Sequence, residues 1–129
     1  MKTNMNDDFD TLNEKLAEFV KQRDWSQFHT PKNMAICISV EANELLAHYT
    51  WTSPNGQKSL GTGEPDRQLA IDEAADVLLS LLSYARVCDF DLIRAAHSKL
   101  KRLGDKYPVE SARGNALKGE DASLTEPNS

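Results

Sequence analysis

The chain is poor in cysteine, with two in 129 residues, and poor in positive charge, with 15 Lys and Arg against 20 Asp and Glu. Each shortage excludes something. Two isolated cysteines, Cys37 and Cys88, build no disulfide framework; each lies in apolar sequence with no signal peptide ahead of it, so both read as buried thiols of a reducing compartment. A net charge of −5 leaves no broad basic surface for a nucleic-acid polymer or an anionic membrane. The longest apolar stretch, around Val77 to Leu82, is interrupted by Ser80 and Ser83 and falls far short of the ~20 residues of a membrane span. The expectation is a soluble, cytoplasmic protein. No Walker Gly-x-x-x-x-Gly-Lys, Gly-x-Ser-x-Gly or zinc-type Cys/His spacing is present, and no segment alternates as a strand.

What is present is helical periodicity. Phe9, Leu12, Leu16, Phe19 and Val20 recur at helical spacing between about Asp7 and Arg23. Thr30-Pro31 is a helix start, with Thr as N-cap and Pro at the first position, and the periodic segment from Met34 to Tyr49 follows. Residues Thr52 to Pro65 shift to Ser, Thr, Gly and Pro and read as a mobile loop. Asp66 can cap a third helix to about Val87, and Asp91 a fourth from Leu92 to about Asp105, with Pro108 ending regular structure. The predicted fold is an all-α antiparallel four-helix bundle over 1–110, with a flexible tail over 111–129.

At 100° per residue, neither central helix has a clean polar face. Ile71, Ala74, Ala75, Leu78, Leu82 and Ala85 form one stripe of the third helix, with Glu73, Asp76, Ser80 and Tyr84 nearly opposite. In the second helix Glu41, Glu44 and His48 share a face with Met34, Cys37, Ile38 and Leu45, while Ile36, Val40 and Ala47 populate the other side. Such helices want burial on two sides, which a chain this short obtains by self-association into a homodimer or homotetramer.

The two couples Glu41-x-x-Glu44 and Glu73-x-x-Asp76 each point two carboxylates the same way. A single couple is ordinarily a solvated acidic face. Two couples on adjacent helices can converge, and like charges brought together need a cation between them. Hard oxygen ligands suit Mg²⁺ or Mn²⁺, and the absence of Glu-x-x-His argues against a di-iron centre. Asp72 competes with Glu73, since it shares a face with Asp76, and spacing does not rank them. Trp25, Phe28 and His29, between the first two helices, suit stacking on a base and hydrogen bonding to it, although large aromatics are as often packing. Trp51 opens the loop and could cover a flat ligand. Lys99, Lys101, Arg102 and Lys106 could reach phosphates or simply favour a helix C-terminus.

These residues occur together in an ordered set: Arg23-Asp24-Trp25-Ser26-Gln27-Phe28-His29, Pro31-Lys32-Asn33, Glu41-x-x-Glu44-Leu45, Trp51, Asp72-Glu73-x-x-Asp76-Val77-Leu78, and Lys106-Tyr107-Pro108-Val109-Glu110 with Arg113-Gly114. With that set, from about Phe19 to Gly114, the chain resembles the MazG-type all-alpha nucleoside triphosphate pyrophosphatases, most closely the dCTP pyrophosphatase branch. The resemblance implies that Glu41, Glu44, Glu73 and Asp76 hold Mg²⁺, with Glu73 preferred over Asp72, and that Trp25, His29 and Trp51 lie in a nucleotide pocket. It implies hydrolysis of a (d)NTP to monophosphate and pyrophosphate, in cleansing of the nucleotide pool. The chain departs from the pattern at Asn43, where a Gly is usual, at His48, where an acid follows Leu-Ala, at Ser80, where a Tyr is common, and at Leu103, where an Asn is. Ser80 and Leu103 stand where base or phosphate recognition is expected, so the metal-binding acids transfer better than substrate identity. A nucleotide-binding module without turnover and a helical interaction protein are the alternatives.

Overall fold

The computed structural model describes residues 5–50 and 66–114, with side chains from Asp8 onward. In chain order they form α1 (Met5–Gln22), a 3₁₀ turn (Trp25–Phe28), α2 (Pro31–Ala47), α3 (Arg67–Val87), α4 (Leu92–Lys106) and α5 (Val109–Ala112). No strand occurs among the described residues, so the all-α expectation holds. No helix among them is long and apolar enough to cross a membrane.

Three of the helices begin where a short polar side chain stands ready. The Thr30 hydroxyl accepts from the Asn33 N–H (3.1 Å), Asp66 Oδ1 from Leu69 N–H (3.1 Å) and Asp91 Oδ1 from Arg94 N–H (3.0 Å). Each bond satisfies a donor that the helix itself leaves open, worth about 1 kcal/mol apiece.

The chain divides into two compact units, Met1–Phe90 and Asp91–Ser129. In the first, α2 packs chiefly on α3, and α3 also meets α1. The buried residues are Val20 of α1, Met34 of α2, and Ala70, Leu82, Ser83 and Ala85 of α3, Leu82 being only 1% exposed. Glu41 lies beside Asp76 while His48, later in the chain, lies beside the earlier Glu73, so α2 and α3 run antiparallel. Arg86 of α3 ties in α1 by donating from Nη2 to the Asn13 carbonyl (2.9 Å) and to Asn13 Oδ1 (3.4 Å). The second unit holds α4, whose Leu92, Ile93 and Leu103 are half-buried beside an exposed basic series, and the short α5.

Four expectations change. The segment joining α1 and α2 is a 3₁₀ turn, entered through Asp24 in the left-handed region (φ 54°), a conformation that a short acidic side chain tolerates better than most. Gln27 Nε2 donates to both the Asp24 carbonyl and its Oδ2, each at 3.0 Å. Pro108 does not end regular structure: its carbonyl accepts from Ala112 N–H (2.9 Å) and opens α5, which takes in Ser111 and Ala112 of the expected tail. Cys37 is exposed and Cys88 half-buried. Ile36 and Val40 next to Cys37 are about half exposed as well, so the apolar surface of α2 is wider than α3 covers. Along α3 the expected stripe is buried only at its C-terminal end; Ala74 and Ala75 are exposed and Ile71 retains 45% of its surface. The loop expected over 52–65 and the remainder of the tail lie outside the described residues.

Candidate metal centre

Antiparallel packing of α2 on α3 brings oxygens of Glu41, Glu73 and Asp76 within 4.8 Å of one another. Glu73 and Asp76 share a face of α3 through their three-residue spacing, and Glu41 faces them from α2. Glu41 and Glu73 are half-buried, Asp76 exposed. Glu41 Oε2 and Glu73 Oε2 are both cut off from solvent and hydrogen-bonded to nothing among the described residues. Burial pushes the Glu41 carboxyl above the usual glutamate range, and the charges of Glu44, Asp76 and Glu73, together with a hydrogen bond to Glu44, push it the same way. Two orphaned anionic oxygens in one cluster are a costly arrangement for the protein alone and a suitable one around a cation. An all-carboxylate donor set fits a hard divalent ion, Mg²⁺ or Mn²⁺.

Of the four expected acids, Glu44 stands at the rim: it is exposed and outside the three-oxygen group. Asp72, the competitor of Glu73, turns elsewhere and accepts from Gln68 Nε2 at 2.9 Å. Ser80 is half-buried one helical turn beyond Asp76 on α3. Sequence reasoning gave His48 no role at these acids, yet its Nε2 lies 3.5 Å from Glu73 Oε1. The signal was its spacing of four from Glu44 and seven from Glu41, which keeps all three on one face.

Trp25 and Phe28 do not plug the end of the helices: they are 44% and 59% exposed. Trp25 is held edge-on to Phe19, ring centroids 5.7 Å apart, while the Arg23 guanidinium lies 3.6 Å over the other aromatic partner, Phe19, and donates to its carbonyl. The contact with Phe19 restrains the indole while leaving much of Trp25 exposed. His29 is half-buried and, with Ser26, lines a cleft of about 140 Å³ completed by Ala17, Val20, Ser83, Arg86 and Val87. Burial, and then the Arg86 charge, lower the His29 pKa, which favours the neutral imidazole. Ser83 and Arg86 of this cleft carried no sequence signal, because their meeting with the 3₁₀ turn depends on helix packing. Lys106 belongs to the second unit, its ammonium 5.7 Å from the Tyr107 ring centre. Trp51 lies outside the described residues.

No family model matches the chain. Among curated proteins it is 37% identical over 106 residues to dCTP pyrophosphatase 1 of Rattus norvegicus, covering 81% of this chain and 62% of that protein. To dCTP pyrophosphatase 1 of Homo sapiens it is 33% identical over 102 residues, covering 79% of this chain and 60% of the relative. The chain thus spans about three fifths of the curated relatives it matches. Among solved structures it superimposes on a pyrophosphatase from Archaeoglobus fulgidus with a TM-score of 0.68 and 30% identity, over 84% of this chain and 96% of the other.

Proposed function

The chain belongs to the MazG-type all-α nucleoside triphosphate pyrophosphatases, and from that premise we propose that it hydrolyses a nucleoside triphosphate to the monophosphate and pyrophosphate. The names of its curated relatives favour dCTP, or a modified deoxynucleotide of similar shape, as the substrate. The role is removal of unwanted nucleotides from the cytoplasmic pool, with which the free thiols of Cys37 and Cys88 accord.

The observation that carries the reading is the Glu41, Glu73 and Asp76 cluster with its two orphaned oxygens. Those three, with Glu44 at the rim, would hold Mg²⁺ or Mn²⁺. The bound cation would supply charge neutralisation for the phosphates and Lewis acidity toward water. Glu44 is exposed at the edge of the cluster, and its carboxylate accepts the proton of the attacking water. Trp25, with Phe28 beside it, stacks on the base, while His29 offers a neutral imidazole for hydrogen bonding. Ser80 hydrogen-bonds the nucleotide from the turn beyond Asp76. Exposed Ile36 and Val40 on α2 and Leu69 and Ile71 on α3 make the interface of a homodimer or homotetramer.

The test is turnover of a panel of dNTPs and NTPs with Mg²⁺ or Mn²⁺ in ¹⁸O-labelled water, beside E44A/D76A. Monophosphate and pyrophosphate should appear in equal amounts, with the label in the monophosphate, and vanish in the double variant. Orthophosphate as product, or tight nucleotide binding with no turnover of any member, would replace the reading.

A further inference from the structure

We propose that His48 is a positioning residue for Glu73, holding one carboxylate oxygen so that the other is presented to the cation. The inference rests on the metal-centre reading above. His48 follows the last residue of α2, and its backbone N–H donates to the carbonyls of Leu45 and Leu46, so the base of the side chain is fixed. Its Nε2 stands 3.5 Å from Glu73 Oε1, and both side chains are mostly buried, at 23% and 21% exposure. The other oxygen, Glu73 Oε2, is buried and has no hydrogen-bond partner among the described residues, and Glu73 supplies one of the three clustered ligand atoms. The carboxylate is therefore divided: Oε1 toward the imidazole and Oε2 toward no partner among the described residues. An approach of about 0.3 Å brings Nε2 and Oε1 to ordinary hydrogen-bond length.

A donor behind a carboxylate ligand restricts its rotation and so removes part of the ordering cost of binding. His48 is not itself one of the three clustered donors, which distinguishes positioning from ligation. The contact also joins the end of α2 to the start of α3, so the competing account is a purely mechanical tether.

The experiment titrates Mn²⁺ alone into the EDTA-stripped full chain by calorimetry, for the wild type, H48L and H48Q, with the metal-free Tm of each. Glutamine places an amide N–H near the position of the imidazole Nε2, and leucine places none. H48L should weaken Mn²⁺ binding by about 10-fold or more, as loss of an orienting partner commonly does, and H48Q should restore it. Unchanged affinity in H48L overturns the inference and leaves the metal centre standing. Equal weakening in both variants, tracking a lower metal-free Tm, overturns it in favour of the tether. No Mn²⁺ binding by the wild type overturns this inference and the metal-centre reading together.

Discussion

Glu41→Gln should make the metal-free protein more stable while removing its response to divalent metal. Glu41 places an oxygen within 4.8 Å of oxygens of both Glu73 and Asp76. At that separation a pair of like charges repels by about 1 kcal/mol under water-like screening, and by more as the surroundings dry. Asp76 is exposed and Glu41 half-buried, so the water-like figure is the appropriate one. Neutralising Glu41 removes two such repulsions, and the new amide can donate to an orphaned Glu73 oxygen. A net gain of about 1–2 kcal/mol raises the Tm of a chain this size by roughly 3–10 °C. In the wild type, a divalent cation at about 100 times its Kd contributes about 2.7 kcal/mol by mass action. Thermal melts in EDTA and in Mn²⁺ should therefore cross: E41Q above the wild type without metal, and below it with metal. An E41Q protein that melts lower in EDTA would refute the reasoning, because it would mean that the contacts of the Glu41 carboxylate within the chain outweigh the repulsion from Glu73 and Asp76.

The same frustration fixes the direction of a pH effect. The folded pKa of Glu41 lies above the usual value of 4.5, so the folded state binds more protons than the unfolded chain in the interval between them. Metal-free stability should fall as pH rises from 4.5 through the folded pKa, and saturating Mn²⁺ should reverse the trend; a metal-free Tm that climbs over that interval in the wild type but not in E41Q contradicts it. On the outer side of α2, I36D/V40D introduces charge where Ile36 and Val40 are about half exposed. Sedimentation velocity should show the proposed assembly broken to a single chain, whereas an unchanged sedimentation coefficient would refute this interface.

The helix starts were legible because their causes are local. Thr30, Asp66 and Asp91 each cap a donor three residues ahead, a rule that spacing alone carries. The acidic couples were legible as faces, but their register was not. Three-residue spacing put Glu44 and Glu41 on equal terms, and only the crossing of α2 with α3 seats Glu41 in the cluster and leaves Glu44 at its rim. The same crossing separates Glu73 from Asp72, which turns to Gln68. Cys37 misled for the opposite reason: apolar neighbours along the chain promise burial, but α3 covers only part of α2. The 3₁₀ turn escaped because it depends on a left-handed residue, Asp24, whose side-chain type permits that conformation without requiring it.

Most of the core lies on the same two helices as the clustered acids. Met34 is buried on the helix that carries Glu41, and Ala70, Leu82 and Ala85 on the one that carries Glu73 and Asp76. A slip of one helical turn between them would repack a tolerable interior yet displace the facing acids by about 5.4 Å. Interior substitutions in this protein are therefore filtered twice, once for packing and once for the register of charges along the same rods. Its evolutionary latitude should lie instead on the exposed flank of α4, where a change moves neither.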